Sequence, residues 1–417
     1  MKKHFAQPVN LLEKYIKTDV RYILSGGSWL SVGQAAASLS ALVLSILFAN
    51  FLSAEIYGTY KYVLALAGLL AIPTLSGVAT SLQRAIARRE YDTAHEALRV
   101  RLYGGVVVFI LGLSMTAWYF FHDNTQLGIS LLIAAIFVPI MEAFSTYDSV
   151  LRGKGKFKTS ALFFIISSLT VTFATVGSIF IFKDNLYALL GAYFVSWSIV
   201  RTVAWFLSTR DIPNTNTSSK QFGEVSIYGF RLTAIGVVSS IAGQIDKVLL
   251  FHFLGPIQLA IYSFATAIPD QIRAAFRNLV PLSLSRFSKR SADEILKSIH
   301  HKAAYTILFA LPVVGAYIIL APYVYALLFP AYLESVFPSQ IFALSILVVP
   351  VFLYTAALQS QRAEKLIAFN DIALNIVQIV LSATLIPWYG LWGAVIARVL
   401  GRFLGAIVLA VTIKNLK

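Results

Sequence analysis

Apolar residues dominate this chain in long runs, and polar residues collect between the runs. A membrane-spanning α-helix needs about 20 predominantly apolar residues. Twelve such runs can be placed, centred on Leu39, Leu70, Phe109, Ile136, Leu169, Phe194, Val238, Arg273, Val313, Leu347, Ile379 and Gly401. The connections are short and leave no room for a soluble catalytic domain. The pattern predicts an all-α polytopic membrane protein.

Composition narrows the reading. Of 417 residues, 58% are hydrophobic and only 13% charged, where soluble domains carry about 25% charged residues. Mean hydropathy is +0.75. The formal net charge is +15, which in a soluble chain would point to nucleic acid; here the positive-inside rule accounts for most of it. There is no cysteine, so disulfides, thiolate chemistry and Cys-ligated metals are excluded.

The basic residues fix an orientation. Twenty-five of them lie at the N-terminus (Lys2, Lys3, Lys14, Lys17, Arg21), in alternate loops such as those of Arg84 to Arg101, Arg152 to Lys158 and Arg286 to Lys302, and at the C-terminus. The other loops hold one, Lys183. This skew puts both termini in the cytoplasm. Residues 1–24 lack the apolar core and cleavage site of a signal peptide and read as a cytoplasmic amphipathic lead-in. A six-helix bundle then spans 25–208, a polar cytoplasmic linker 209–221, and a second six-helix bundle 222–417.

An internal repeat supports that division. At an offset of 202 residues, Phe51-Leu52-Ser53 and Tyr60 meet Phe253-Leu254-Gly255 and Tyr262. The same offset carries Arg84 and Arg88 onto Arg286 and Arg290, Leu189-Leu190-Gly191-Ala192 onto Leu391-Trp392-Gly393-Ala394, and Tyr187 onto Tyr389. An even number of helices per half gives both halves one orientation, and transporters built from repeats place their substrate path between them, near the midplane.

The same segments carry a family likeness. Phe51-Leu-Ser-Ala-Glu-Ile-Tyr-Gly-Thr-Tyr60, Gln244-Ile-Asp-Lys-Val-Leu-Leu250 followed by Phe253-Leu-Gly255, Ala260-Ile-Tyr-Ser263, Leu151-Arg-Gly-Lys-Gly-Lys-Phe157 and Gly390-Leu-Trp-Gly-Ala394 resemble the polysaccharide-biosynthesis flippases of the multidrug/oligosaccharidyl-lipid/polysaccharide (MOP) exporter superfamily. The resemblance runs over essentially the whole chain. It implies a MATE-like fold, two six-helix bundles around a central cavity that opens alternately to either side. It implies a cargo, an oligosaccharide on a polyprenyl pyrophosphate, moved from the cytoplasmic to the outer leaflet of the cell membrane for surface polysaccharide biosynthesis. The implied partners are that lipid, the bilayer and polysaccharide polymerase or export machinery, with no cofactor and no nucleic acid.

Charges inside the runs are the candidate site. Each costs about 2.5–3.5 kcal/mol at mid-membrane on insertion scales, so these side chains are expected to face protein or water. Asp270, Arg273 and Arg277 fall at i, i+3 and i+7 of one run, with Arg273 near its middle, and Arg398 and Arg402 at i, i+4 of the last. Asp270 can pair with Arg273, and Glu142 or Asp371 with another arginine. Still, Lys61, Arg201, Arg231, Lys247, Arg273, Arg277, Arg398 and Arg402 outnumber the acids Glu142, Asp246, Asp270 and Asp371. Surplus buried cations call for an anion, and a guanidinium fork suits pyrophosphate. The expectation is that Arg273, Arg277, Arg398 and Arg402 line a cavity between the halves. Asp246 and Asp270 serve either ion coupling or salt bridges. Asp371, Asn375 and Gln378 form a polar stripe that fits helix packing better than sugar hydroxyls.

Two other functions make different demands. A drug/cation antiporter of the same superfamily calls for an acidic cavity. A membrane glycosyltransferase or polymerase calls for an acid or metal site in a long loop, yet His122 to Gln126 and Lys183 to Asn185 are short and no Asp-x-Asp occurs. Gly153 to Lys156 does not have the spacing of a P-loop, and His300-His301 lies in a basic loop.

Overall fold

The computed structural model describes residues 20–212, 219–277 and 290–415 except 362, with 280, 283, 284, 287 and 288 in between. Most of the N-terminal lead-in, residues 213–218 of the linker, and Arg286, Lys289, Arg362 and Lys417 lie outside the described residues. Everything described is helix or short connection. In chain order the helices are α1 Val20–Phe51, α2 Ala54–Leu70, α3 Gly77–Ala87, α4 Thr93–Phe121, α5 Thr125–Phe144, α6 Thr146–Gly153, α7 Phe157–Phe182, α8 Leu186–Thr209, α9 Ser219–Phe276, α10 Ala292–Leu328, α11 Val336–Ala343, α12 Pro350–Ser360 and α13 Glu364–Thr412.

Among the described residues nine helical stretches are long and apolar enough to cross a bilayer, ten when α2 and α3, bent by 40° at Ile72–Thr74, count as one. Two of the nine are hairpins. In α9 the Tyr262 hydroxyl donates to Asp246 at 2.5 Å, although sixteen positions of straight helix would hold them about 24 Å apart. The chain reverses at Gly255, whose φ of 80° and ψ of −176° is a conformation open essentially to glycine alone. In α13 the Asn370 amide donates to the Thr412 hydroxyl at 3.1 Å, across forty-two positions, and the reversal falls at Gly390, φ 57°. The arms of α9 are therefore residues 219–254 and 256–276; those of α13 are 364–389 and 391–412.

Polar side chains start several of these helices. Ser53, Asn124, Asn185 and Ser291 each accept from a backbone N–H in the first turn that follows, satisfying donors that the helix leaves free. The caps sit in the short connections, where hydropathy breaks.

Residues 20–212 and 219–415 each gather into a helical group, and the groups meet along α2 and α3 on α9. At Gly77 a Cβ would stand 2.3 Å from the Gly229 carbonyl oxygen, so only glycine permits this approach. The Gly77 N–H donates to the Thr233 hydroxyl at 3.0 Å, and Arg84 bonds Tyr228. Near the Gly255 turn the groups are closed by rings: Tyr62 stacks on Phe251 at 3.8 Å, Tyr57 on Phe264 at 4.5 Å, and Asn50 donates to the Leu328 carbonyl at 3.0 Å.

The bend between α2 and α3 is held by charge. Arg101, only 1% exposed, donates to the Thr74 carbonyl at 3.0 Å and to the Ser145 hydroxyl at 2.9 Å. Its other nitrogen pairs with Glu142 at 3.2 Å, and Glu142 also takes Arg201 at 3.0 Å.

Candidate functional site

Two cavities hold most of the charged candidates. The first, about 250 Å³, lies between α1 and α2 on one side and α9 and α13 on the other, lined by Ser45, Tyr57, Lys61, Asp246, Lys247, Tyr262, Asp270 and Arg398 among others. Lys61 is seven positions from the start of α2, Asp246 nine from Gly255, and Arg398 eight from Gly390. Helical rise puts them about 10–14 Å from those turns, close to the middle of a hydrocarbon core about 30 Å thick.

Asp246 organises this cavity. It is 1% exposed and accepts from Tyr262 at 2.5 Å and from Arg398 at 2.7 Å. Both of these bonds fall on Oδ2, while Oδ1 accepts from the Lys247 backbone N–H at 2.9 Å; the Lys247 ammonium donates to Gln244 at 2.9 Å. Lys61 stands over the Tyr57 ring, 5.2 Å from its centre, with no ion-pair partner among the described residues. Arg398 is paired with Asp246, and Asp270, which also lines the cavity, with Arg402; among the described residues neither lysine of the cavity has an ion-pair partner.

The second cavity, about 340 Å³, lies inside residues 219–415 and includes Thr355, Arg273, Asp371, Asn375, Gln378, Arg398 and Arg402 in its lining. Arg402 pairs with Asp270 at 2.6 Å, donates to Ser345 at 2.8 Å and stands 4.6 Å over the Phe342 ring. Arg398 borders both cavities; Asp270 borders the first and its partner Arg402 the second. The wall between the cavities is therefore two ion pairs that tie the 391–412 arm to both arms of α9.

This arrangement differs from the one expected of the sequence. The four arginines do not share one cavity: Arg398 reaches the first, while Arg273 and Arg402 lie on the second. Arg277 and Arg231 are exposed and line neither. Arg201 is held by Glu142 and the Met141 carbonyl, over Trp197, among α5 and α8. Asp270 bypasses Arg273, its neighbour at i+3, for Arg402, which Ser345 already steadies. Arg273 also sits near the end of its helical arm, not mid-span, because that arm runs only from 256 to 276. Lys61 and Lys247, secondary candidates in the sequence, stand in the central cavity. Asn375 donates to its own helix at the Asp371 carbonyl and Gln378 to Ser382, yet the stripe still faces the second cavity.

Two buried polar groups escape sequence reasoning. Tyr262 has no spacing relation to Asp246 until the hairpin is known. Arg101 reads as a loop cation beside Arg99; the available signal is its stripe of Ala94, Ala97, Gly105 and Val108, at i−7, i−4, i+4 and i+7, all buried.

This fold is that of membrane transporters. The chain is similar to an outward-facing multidrug resistance MATE family transporter of the MOP superfamily, at 17% identity over 94% of each chain with a TM-score of 0.66. It is also similar to the lipid II flippase MurJ in an inward closed conformation, at 15% identity over 92% of this chain and 87% of that one, with a TM-score of 0.73. An inward-facing MATE transporter matches at 16% identity, covering 94% and 93% of the two chains, with a TM-score of 0.64. No curated protein is similar enough in sequence to be matched. The family model described as polysaccharide biosynthesis protein matches residues 23–272, and the chain belongs to that family. It is a multi-pass membrane protein, and family and fold together make it a lipid-linked flippase or related transporter.

Proposed function

We propose that this protein carries an oligosaccharide linked to a polyprenyl pyrophosphate from the cytoplasmic to the outer leaflet of the cell membrane, by alternating access and without catalysing a chemical step. The observation that carries the reading is the cavity in which Lys61 and Lys247 have no ion-pair partner among the described residues and Arg398 borders the space. Ammonium and guanidinium groups in a low-dielectric site bind phosphate oxygens strongly; a cationic drug would be repelled there.

In this reading Lys61 and Lys247 take the pyrophosphate, and Arg398 shares itself between Asp246 and the incoming anion. A cavity of about 250 Å³ accommodates a pyrophosphate but not a whole oligosaccharide, since small-molecule sites alone run to roughly 300–1,000 Å³. Passage of the sugar requires the two helical groups to part.

The topology belongs to the same proposal. Counting each hairpin arm as a crossing, and α2 with α3 as one, gives twelve crossings in two tandem halves with both termini cytoplasmic. The repeat offset supports this: it lays the turn between α1 and α2 on the Gly255 turn, and Leu189, in the first turn of α8, on Leu391, which opens the 391–412 arm.

The test is transfer in proteoliposomes of a fluorescent polyprenyl-pyrophosphate oligosaccharide, read by accessibility to an external glycosidase. Wild type should accelerate transfer. Lys61→Gln with Lys247→Gln should slow it at least roughly ten- to a hundredfold, the worth of one charge-assisted hydrogen bond. Transfer at the protein-free rate, or transport of a cationic dye in its place, would overturn the reading.

A further inference from the structure

Once every ion pair is assigned, the second cavity keeps one guanidinium without an anion. Arg273 makes no hydrogen bond and no ion pair among the described residues; its Nε is fully buried and unpartnered, and its only contact of note is the Phe352 ring, 5.3 Å away. A buried charge in that state is costly unless something arrives to match it. The neighbouring acids do not: Asp270 is taken by Arg402, and Asp371 faces the same cavity and forms no ion pair among the described residues.

Nor can the pyrophosphate of the central cavity serve. Arg273 does not line that cavity, whose lining on the same helical arm stops at Gln271, and the ion pair of Asp270 with Arg402 stands between them. The cavity around it is large enough for a second ligand group, about 340 Å³. It also offers the Thr355 hydroxyl and the side chains of Asn375 and Gln378 to hydroxyl groups.

We propose that this cavity is a second anion site, built on Arg273, that takes a carboxylate or phosphate group. Asp371 faces the occupant from the opposite helix and disfavours a doubly charged one, which points to a carboxylate or a phosphodiester. Two sources share this chemistry. One is an acidic substituent on the transported saccharide, which rests on the flippase reading; the other is a free anion from solution, which does not.

The experiment is thermal unfolding of the purified full-length protein with four probes: inorganic phosphate, glucuronate, a polyprenyl-pyrophosphate trisaccharide containing glucuronic acid, and its neutral glucose counterpart. Arg273→Gln should raise the melting temperature of the ligand-free protein, since an unmatched buried charge is removed. It should also weaken half-saturation by the acidic probes about tenfold or more, the worth of a charged hydrogen bond, and leave the neutral lipid unchanged. Asp371→Asn should tighten the acidic probes. A preference for the acidic over the neutral lipid that vanishes in Arg273→Gln assigns the site to the cargo. Stabilisation by free glucuronate or phosphate through Arg273, with the two lipids alike, assigns it to a free anion. If neither lipid binds but glucuronate still does through Arg273, the flippase reading falls and the site stands. Equal losses for acidic and neutral lipid in Arg273→Gln, no effect of that variant on any probe, or its failure to fold would overturn the proposal.

Discussion

Replacing Glu142 by alanine separates architecture from transport. This carboxylate holds two guanidiniums, Arg101 at 3.2 Å and Arg201 at 3.0 Å, with side-chain exposures of 2% and 19%. Breaking a buried pair by removing one partner costs about 3–5 kcal/mol, because the other charge is stranded. The two losses do not add, since one carboxylate serves both and Arg101 keeps the Thr74 carbonyl and Ser145 hydroxyl. The expected cost of Glu142→Ala is therefore about 3–5 kcal/mol, a large part of the roughly 5–15 kcal/mol that stabilises a domain. The assay is thermal and denaturant unfolding in detergent, followed by tryptophan fluorescence. Glu142→Gln should lose less, and Arg201→Gln added to Glu142→Gln should recover part of the loss. Per folded molecule, transport should survive. A Glu142→Ala protein of unchanged stability that no longer transports would refute this account and make Glu142 a coupling residue.

Reporter fusions after Asn124 and Asn185 should read as external, and fusions after Lys156 and Asn214 as internal; a cytoplasmic signal at either of the first two would break the twelve-crossing topology. At the cavity wall, Asp246→Asn alone should destabilise the protein by about 3–5 kcal/mol by stranding Arg398. Adding Arg398→Gln should restore most of the stability but not transport, as unfolding and proteoliposome transfer measured together would show; restored transport would reduce the pair to a structural tie.

The crossings were legible because hydropathy is the one property a bilayer imposes on every lipid-facing position. The sequence runs centred on Val238 and Arg273, and on Ile379 and Gly401, are separate arms in space, each pair joined by a tight reversal at a single glycine. Depth was less legible. Apolar residues beyond Phe276, among them Leu279, Val280, Leu282 and Leu284, extend the hydropathy of that run and pull its apparent centre to Arg273, while the arm ends a turn later. Similarly, Arg101 was hidden because a cation at the rim of an apolar run looks the same whether it points to water or to Glu142.

Pairing was illegible for a different reason. On an isolated surface helix, charges three or four apart are natural partners, which matches Asp270 to Arg273. Inside a bundle the nearest opposite charge more often projects from the facing helix, and the separations become 132 residues for Asp270 with Arg402 and 152 for Asp246 with Arg398. Both arginines stand on one face of the 391–412 arm, one turn apart, and each reaches a different arm of α9. A sequence can count the surplus of cations over acids, but only the fold decides which cations are left over. Among the described residues Lys61, Lys247 and Arg273 are left over beside the cavities, and Arg231 and Arg277 on the exposed surface; from sequence, Arg273 is expected in one cavity with Arg277, Arg398 and Arg402, with a pair to Asp270 as the alternative. Because the unpaired cavity cations fall on either side of an ionic wall, the charge surplus divides between two places, and the proposed pyrophosphate in the first would leave Arg273 in the second to be matched separately.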